Sequence, residues 1–177
     1  MGKPSHITNN CRVAGAFVRG TSHIKNNIPC QDRTFSKTSN DTTVITLADG
    51  AGSCSKSEIG AEITTKCVAE FICSNFDMLI KKDEKEISKS ILKEILERIE
   101  KESIELKLED KEFASTLLFV AVNGNKYLAG HIGDGLIGFF KETDTKILSF
   151  PENGEHSNET YFTTSKNALK HFRIYNN

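Results

Sequence analysis

Residues 42–61, Thr-Thr-Val-Ile-Thr-Leu-Ala-Asp-Gly-Ala-Gly-Ser-Cys-Ser-Lys-Ser-Glu-Ile-Gly-Ala, decide the fold. Thr42–Ala48 is β-branched or apolar at nearly every position, which predicts a strand buried on both faces. It ends on Asp49, and two glycines follow within three residues. Ser55 and Glu58 then have capping-box spacing, with Glu58 placed to reach back to the Ser55 amide and open a helix. Behind them Ile59, Ile63, Cys67, Phe71 and Phe76 recur at helical spacing. A strand thus delivers a carboxylate to a glycine turn, and a long helix carries the chain away.

Downstream, Lys81-Lys82 closes that helix with charges suited to its negative end. Asp83 and Glu86 offer a second cap, and Ile87, Ile91, Ile95 and Ile99 form an i, i+4 stripe. Glu94/Arg98 and Glu97/Lys101 are expected to pair along its exposed side. A β-meander follows. Ser115–Val122 and Lys126–Ile132 flank Asn123-Gly124, a hairpin signal, and a tight turn at Asp134-Gly135 leads into Leu136–Lys141. Ile147–Phe150 and Glu159–Thr163 read as short strands, and Ser165 as the cap of a brief helix over Lys166–Phe172. Upstream, Cys11–Gly20 alternates in part like a strand, and Thr21–Pro29 reads as a polar loop before Gln31-Asp32. Strands before and after a helical pair predict an α+β fold.

Composition narrows the function. The chain has 177 residues, 37% hydrophobic and 27% charged, with a net charge of −1, so no global field draws it to nucleic acid or to an anionic membrane. The longest apolar runs are strand-length, far short of a membrane span. The first ten residues contain no signal core, and His6 stands where a myristoylation site wants Ser or Thr. Cys11, Cys30, Cys54, Cys67 and Cys73 lack paired metal spacing and read as buried, reduced thiols, consistent with a cytoplasmic protein.

The residues that bear on chemistry fall in four segments: Gln31-Asp32, Asp49-Gly50-Ala51-Gly52, Ala114-Ser115-Thr116 and Gly133-Asp134-Gly135. A carboxylate at the end of a buried strand is held rigidly, and Gly50 lets its own carbonyl approach a ligand. Hard cations such as Mg²⁺ or Mn²⁺ take this mixture of oxygen donors. Each segment also has a plainer reading. Asp49-Gly50 can simply turn the chain, Asp134-Gly135 suits a hairpin turn, and Asp32 can be an ordinary solvated acid. Ser115 and Thr116 read as the opening of a strand. A dinucleotide-binding loop would need a third glycine at position 55, which is Ser, and no Gly-Lys-Ser/Thr follows for a phosphate loop.

Taken in order, the segments resemble bacterial members of the protein phosphatase 2C family. The resemblance rests on Ser22-His23, Pro29-Cys30-Gln31-Asp32, Leu47–Ser53 with Ser57–Ala61, Ala114-Ser115-Thr116 and His131–Gly135, and it extends to Asn153-Gly154-Glu155 and Asn158–Phe162. It implies a β-sandwich flanked by antiparallel helix pairs, with residues 1–177 forming a single phosphatase-like domain that lacks the last strands. It implies metal-dependent hydrolysis of phosphoserine and phosphothreonine in proteins, with two Mn²⁺ or Mg²⁺ ions and room for a third. Asp49 would bridge two ions, Gly50 would supply a carbonyl, and Asp32 would hold metal-bound water, with Gln31 where many members carry Glu. Asp134 would bind the third ion. His23 would contact the substrate. Bridging would lower the pKa of a water that attacks phosphorus in line. Ala51 replaces a His that some members have as an acid, so metal-bound water would protonate the leaving alkoxide.

The chain departs from the family at its end. Active members complete the metal pair with two later Asp residues, whereas here the last Asp is Asp144, and only Glu152, Glu155 and Glu159 follow. Three readings follow: a fragment of an active enzyme, a naturally short non-catalytic binding or regulatory module, or completion by another chain. Missing strands would also bare sheet edges, which invites self-association.

Overall fold

The computed structural model describes residues 11–141, 143–152 and 160–177. Its centre is an antiparallel sheet of β1 (Arg33–Ser39), β2 (Thr42–Ala48), β3 (Leu117–Asn123), β4 (Lys126–Ile132) and β7 (Arg173–Asn176), in that spatial order. Helices α2 (Ser57–Leu79) and α3 (Glu84–Leu106) pair across a short connection and cover one face. A one-turn helix α1 (Thr21–Lys25) precedes β1, a 3-10 turn (Asp110–Phe113) precedes β3, and α4 (Ala168–His171) precedes β7. A separate hairpin, β5 (Ile137–Lys141) with β6 (Asp144–Ser149), packs on the opposite face. The α+β architecture is as expected.

The main core lies between the helix pair and the sheet. Ile87, Ile91, Ile95 and Ile99 are all fully buried there against Val44, Leu117, Phe119 and Ile132. Asp83 caps α3 as expected, accepting the Glu86 N–H at 2.8 Å. The cap expected on α2 does not form. That helix starts behind Lys56 without a side-chain cap, because the Ser55 N–H donates instead to Glu112 Oε2 at 3.0 Å. Lys81 and Lys82 fall beyond the last turn, which ends at Leu79. The helical ion pairs also differ. Arg98 reaches across to Glu70 of α2 at 2.8 Å, and Glu97 meets Lys93 at 3.5 Å, because packing α3 on α2 offers Arg98 a nearer carboxylate than Glu94.

Several strand expectations are corrected. β2 is buried along one face, where Val44, Thr46 and Ala48 meet the helices, whereas on the other Thr43 is buried but Ile45 and Leu47 are 42% and 43% exposed. Cys11–Gly20 forms no strand. It lies over the outer face instead, with Gly15 against Thr34 and Phe17 beneath the Arg33 guanidinium at 5.6 Å. Part of the loop expected at Thr21–Pro29 is helix α1. Tyr161–Thr163 carry no strand. Ser165 does not cap α4; its hydroxyl accepts the Phe162 N–H at 3.0 Å. β7 was not anticipated, and it closes the sheet on β4. The readings at Asn153-Gly154-Glu155, Asn158 and Glu159 lie outside the described residues. The five cysteines are free, but only Cys67 and Cys73 are buried. No helix among the described residues is long and apolar enough to cross a membrane.

Asp134-Gly135 is not a hairpin turn between paired strands. β4 pairs with β3 and β7, whereas β5 pairs with β6. The chain leaves the sheet at Gly133, whose φ of 115° is open to glycine, and Asp134 follows the bend.

Candidate active site

Asp49 stands one residue past β2 and is held by backbone on both sides. Its N–H donates to Thr116 Oγ1 at 2.9 Å, and its carbonyl accepts the Thr116 N–H at 2.8 Å. The next two residues stay in register with their neighbours: the Gly50 N–H donates to Gln31 O at 3.2 Å, and the Ala51 N–H to Ala114 O at 2.9 Å. Gly50 is required by packing as well as by any ligand. A Cβ there would lie 2.7 Å from the Ser57 carbonyl oxygen at the start of α2. Gln31 is buried and donates from Nε2 to Ser57 Oγ at 2.7 Å, tying that helix end to the Asp32 segment. Arg33 braces the same segment by donating to the Cys30 and Asp32 carbonyls at 2.7 and 2.8 Å.

These supports bring three carboxylates into electrostatic reach. The Asp49 carboxyl is pushed up to about 6, first by partial burial, then by the charge of Asp32 and a hydrogen bond shared with it, then by the charge of Asp134. His23 is close enough to oppose the rise. Asp49 nevertheless reaches solvent, so its burial is that of a group flanked by protein rather than enclosed. Asp134 Oδ2 accepts from Thr160 Oγ1 at 3.3 Å. All four sequence-derived carriers, Asp32, Asp49, Asp134 and His23, therefore share one neighbourhood. Glu152 is committed elsewhere, to His171 at 2.8 Å and Arg173 at 3.3 Å. Sequence reasoning missed the Thr116 clamp and Thr160. The Ser-Thr pair at the mouth of an apolar strand was the available signal for the first.

The donor set is all oxygen, which suits a hard cation, and crowded like charge is the condition that a cation relieves. Among the described residues, no three of His, Cys, Asp and Glu converge as a ligand cluster. The fit is therefore to an ion anchored on one or two carboxylates that keeps several waters, as Mg²⁺ commonly does. A separate groove lies away from these acids. About 710 Å³ in volume, it runs along the outer sheet face past Val13, Ile45, Leu47 and Leu136, and no titratable group lines it.

The family model for protein phosphatase 2C matches residues 19–176, so the chain belongs to that family. It is a chain of the protein-phosphatase class of hydrolases, in a family that is metal-dependent, generally on Mn²⁺ or Mg²⁺. Serine/threonine-protein phosphatase 3 of Escherichia coli is 25% identical over 169 residues, covering 93% of this chain and 67% of that relative. The fold is also that of the serine/threonine phosphatase of S. agalactiae (TM-score 0.55, 20% identity, 84% of this chain and 68% of that one). A bacterial serine phosphatase superposes with a TM-score of 0.62 at 10% identity, covering 84% and 67%. The chain thus spans about two thirds of each relative's length.

Proposed function

We propose that the chain hydrolyses phosphoserine and phosphothreonine in proteins with Mn²⁺ or Mg²⁺ anchored at Asp49. The supporting observation is that Asp32 and Asp134, from two other segments, lie close enough to add to the burial that raises the Asp49 carboxyl to about 6. Asp49 and the Gly50 carbonyl would hold the ions, with Asp134 serving a further one. Such ions, when bound, stabilise charge on phosphate oxygens and make water a better nucleophile. Asp32 orients that water by accepting its hydrogen bond. Water oxygen bonds to phosphorus as the bond to the Ser or Thr oxygen breaks, the water's proton passes to solvent, and His23 would contact the phosphate. Ala51 offers no proton, so the leaving alkoxide takes one from solvent. The test is manganese-dependent hydrolysis of p-nitrophenyl phosphate. Asp49→Asn should abolish it, and an unchanged rate in that variant rules the assignment out.

A second reading is favoured by the absence of a converged ligand cluster among the described residues: a phosphatase-like module that binds a phosphorylated partner without hydrolysis. Calorimetry separates the two, because a tight two-site Mn²⁺ isotherm counts against the module. Under either reading the β1 and β7 edges and the exposed Ile45 and Leu47 favour self-association. Sedimentation showing only monomer at high concentration would exclude it.

A further inference from the structure

Thr116 joins the two carboxylate-bearing turns with the two halves of its side chain. It is 2% exposed. Its hydroxyl oxygen takes the Asp49 N–H at 2.9 Å, while its own N–H returns to the Asp49 carbonyl at 2.8 Å. Its methyl points the other way, against Gly133. A Cβ built on Gly133 would come within 2.6 Å of Thr116 Cγ2, so the bend that presents Asp134 is seated directly on that methyl. The flanking residue anchors the arrangement. Ser115 donates from Oγ to Thr64 Oγ1 of α2 at 3.2 Å, and its carbonyl accepts the Thr163 N–H at 2.9 Å. That second contact fixes the segment whose Thr160 holds Asp134.

We infer that Thr116 is a positioning residue that sets the spacing between Asp49 and Asp134. The inference rests on the proposed metal-dependent reading of the site. Each half of the side chain has its own task. Valine would keep the shape but leave the Asp49 N–H without an acceptor. Serine would keep the acceptor but remove the seat under Gly133. Groups that orient metal-binding side chains in this way typically change metal affinity by about 10- to 100-fold when lost.

The experiment compares Thr116→Val, Thr116→Ser, Asp134→Asn and the Thr116→Ser/Asp134→Asn double variant of the full chain. Mn²⁺ binding is read by calorimetry, and amide hydrogen exchange at Asp49 is read in metal-free protein. In Thr116→Val the Asp49 amide should exchange about tenfold faster, as a lost hydrogen bond implies, and Mn²⁺ affinity should fall about tenfold. In Thr116→Ser the amide should stay protected while affinity falls. The double variant should then bind no more weakly than Asp134→Asn alone, because both changes act through one group. Unchanged exchange and affinity in Thr116→Val overturn the inference, as does a lower Tm with affinity intact. If Thr116→Val does not fold, full wild-type affinity in Thr116→Ser has the same effect. If the wild-type chain takes up no Mn²⁺, the proposed function fails, and the exchange measurement still judges Thr116.

Discussion

Asp49→Asn should make the metal-free protein more stable while removing its function. The folded carboxyl sits at about 6, against 3.8 for the free group. Above pH 6 the native state therefore holds a charge that the unfolded chain carries more easily, and below 3.8 the two states are alike. A rise of about two units corresponds to ~3 kcal/mol. Because Asp49 reaches solvent, screening reduces this to about 1 kcal/mol, or roughly 2–4 °C in Tm for a chain of this size. Urea unfolding in EDTA at pH 8 should show that gain, and the difference should close as the pH falls to 4. Added Mn²⁺ should reverse the order, because binding at 100-fold over Kd stabilises the wild type by about 2.7 kcal/mol and the variant has lost its anchor. A variant no more stable than wild type at pH 8, or a gain equal at pH 8 and pH 4, would refute the reasoning.

Other outcomes follow from the same structure. His131 is fully buried with Nδ1 facing Ser149 Oγ at 2.7 Å and Arg173 at 3.1 Å, and burial followed by the Arg173 charge lowers its pKa to about 4. The unfolded chain then takes up the proton first, so His131 should cost up to ~3 kcal/mol of stability as pH falls from about 6.5 to 4. A ring titration by NMR near 6.5 in the folded protein contradicts this. Asp49 acts with the opposite sign over nearly the same range, so the acid-side slope of stability should steepen in Asp49→Asn. Ile95→Ala, in the fully buried stripe between α3 and the sheet, should cost about 2–5 kcal/mol in urea unfolding; a loss under 1 kcal/mol would mean that α3 does not pack as described. Asp83→Ala removes the cap accepting the Glu86 N–H and should cost about 1 kcal/mol, measured the same way.

Local chemistry made much of this legible from residues alone. The isoleucine stripe of α3, the Asp83 cap, the strand that delivers Asp49 and a hairpin between β3 and β4, which turns at Gly124-Asn125 rather than at Asn123-Gly124, follow from spacing and short-range sterics, which need only near neighbours. The ordered motifs also placed the chain in its family. What spacing could not supply were contacts chosen between segments far apart in the chain. Glu112 took the Ser55 amide from Glu58, and Glu70 took Arg98 from Glu94, because tertiary packing set nearer partners. Ile45 and Leu47 look like core in the sequence yet stand exposed, since no strand covers them among the described residues. Asp134-Gly135 has the composition of a hairpin turn, but β5 pairs with β6 instead. The repulsion felt by Asp49 exists only because folding brings Asp32 and Asp134 beside it. Residue type determined which groups could bind a hard cation, and the three-dimensional arrangement decided which of them meet, because Coulomb energy depends on distance through space rather than along the chain.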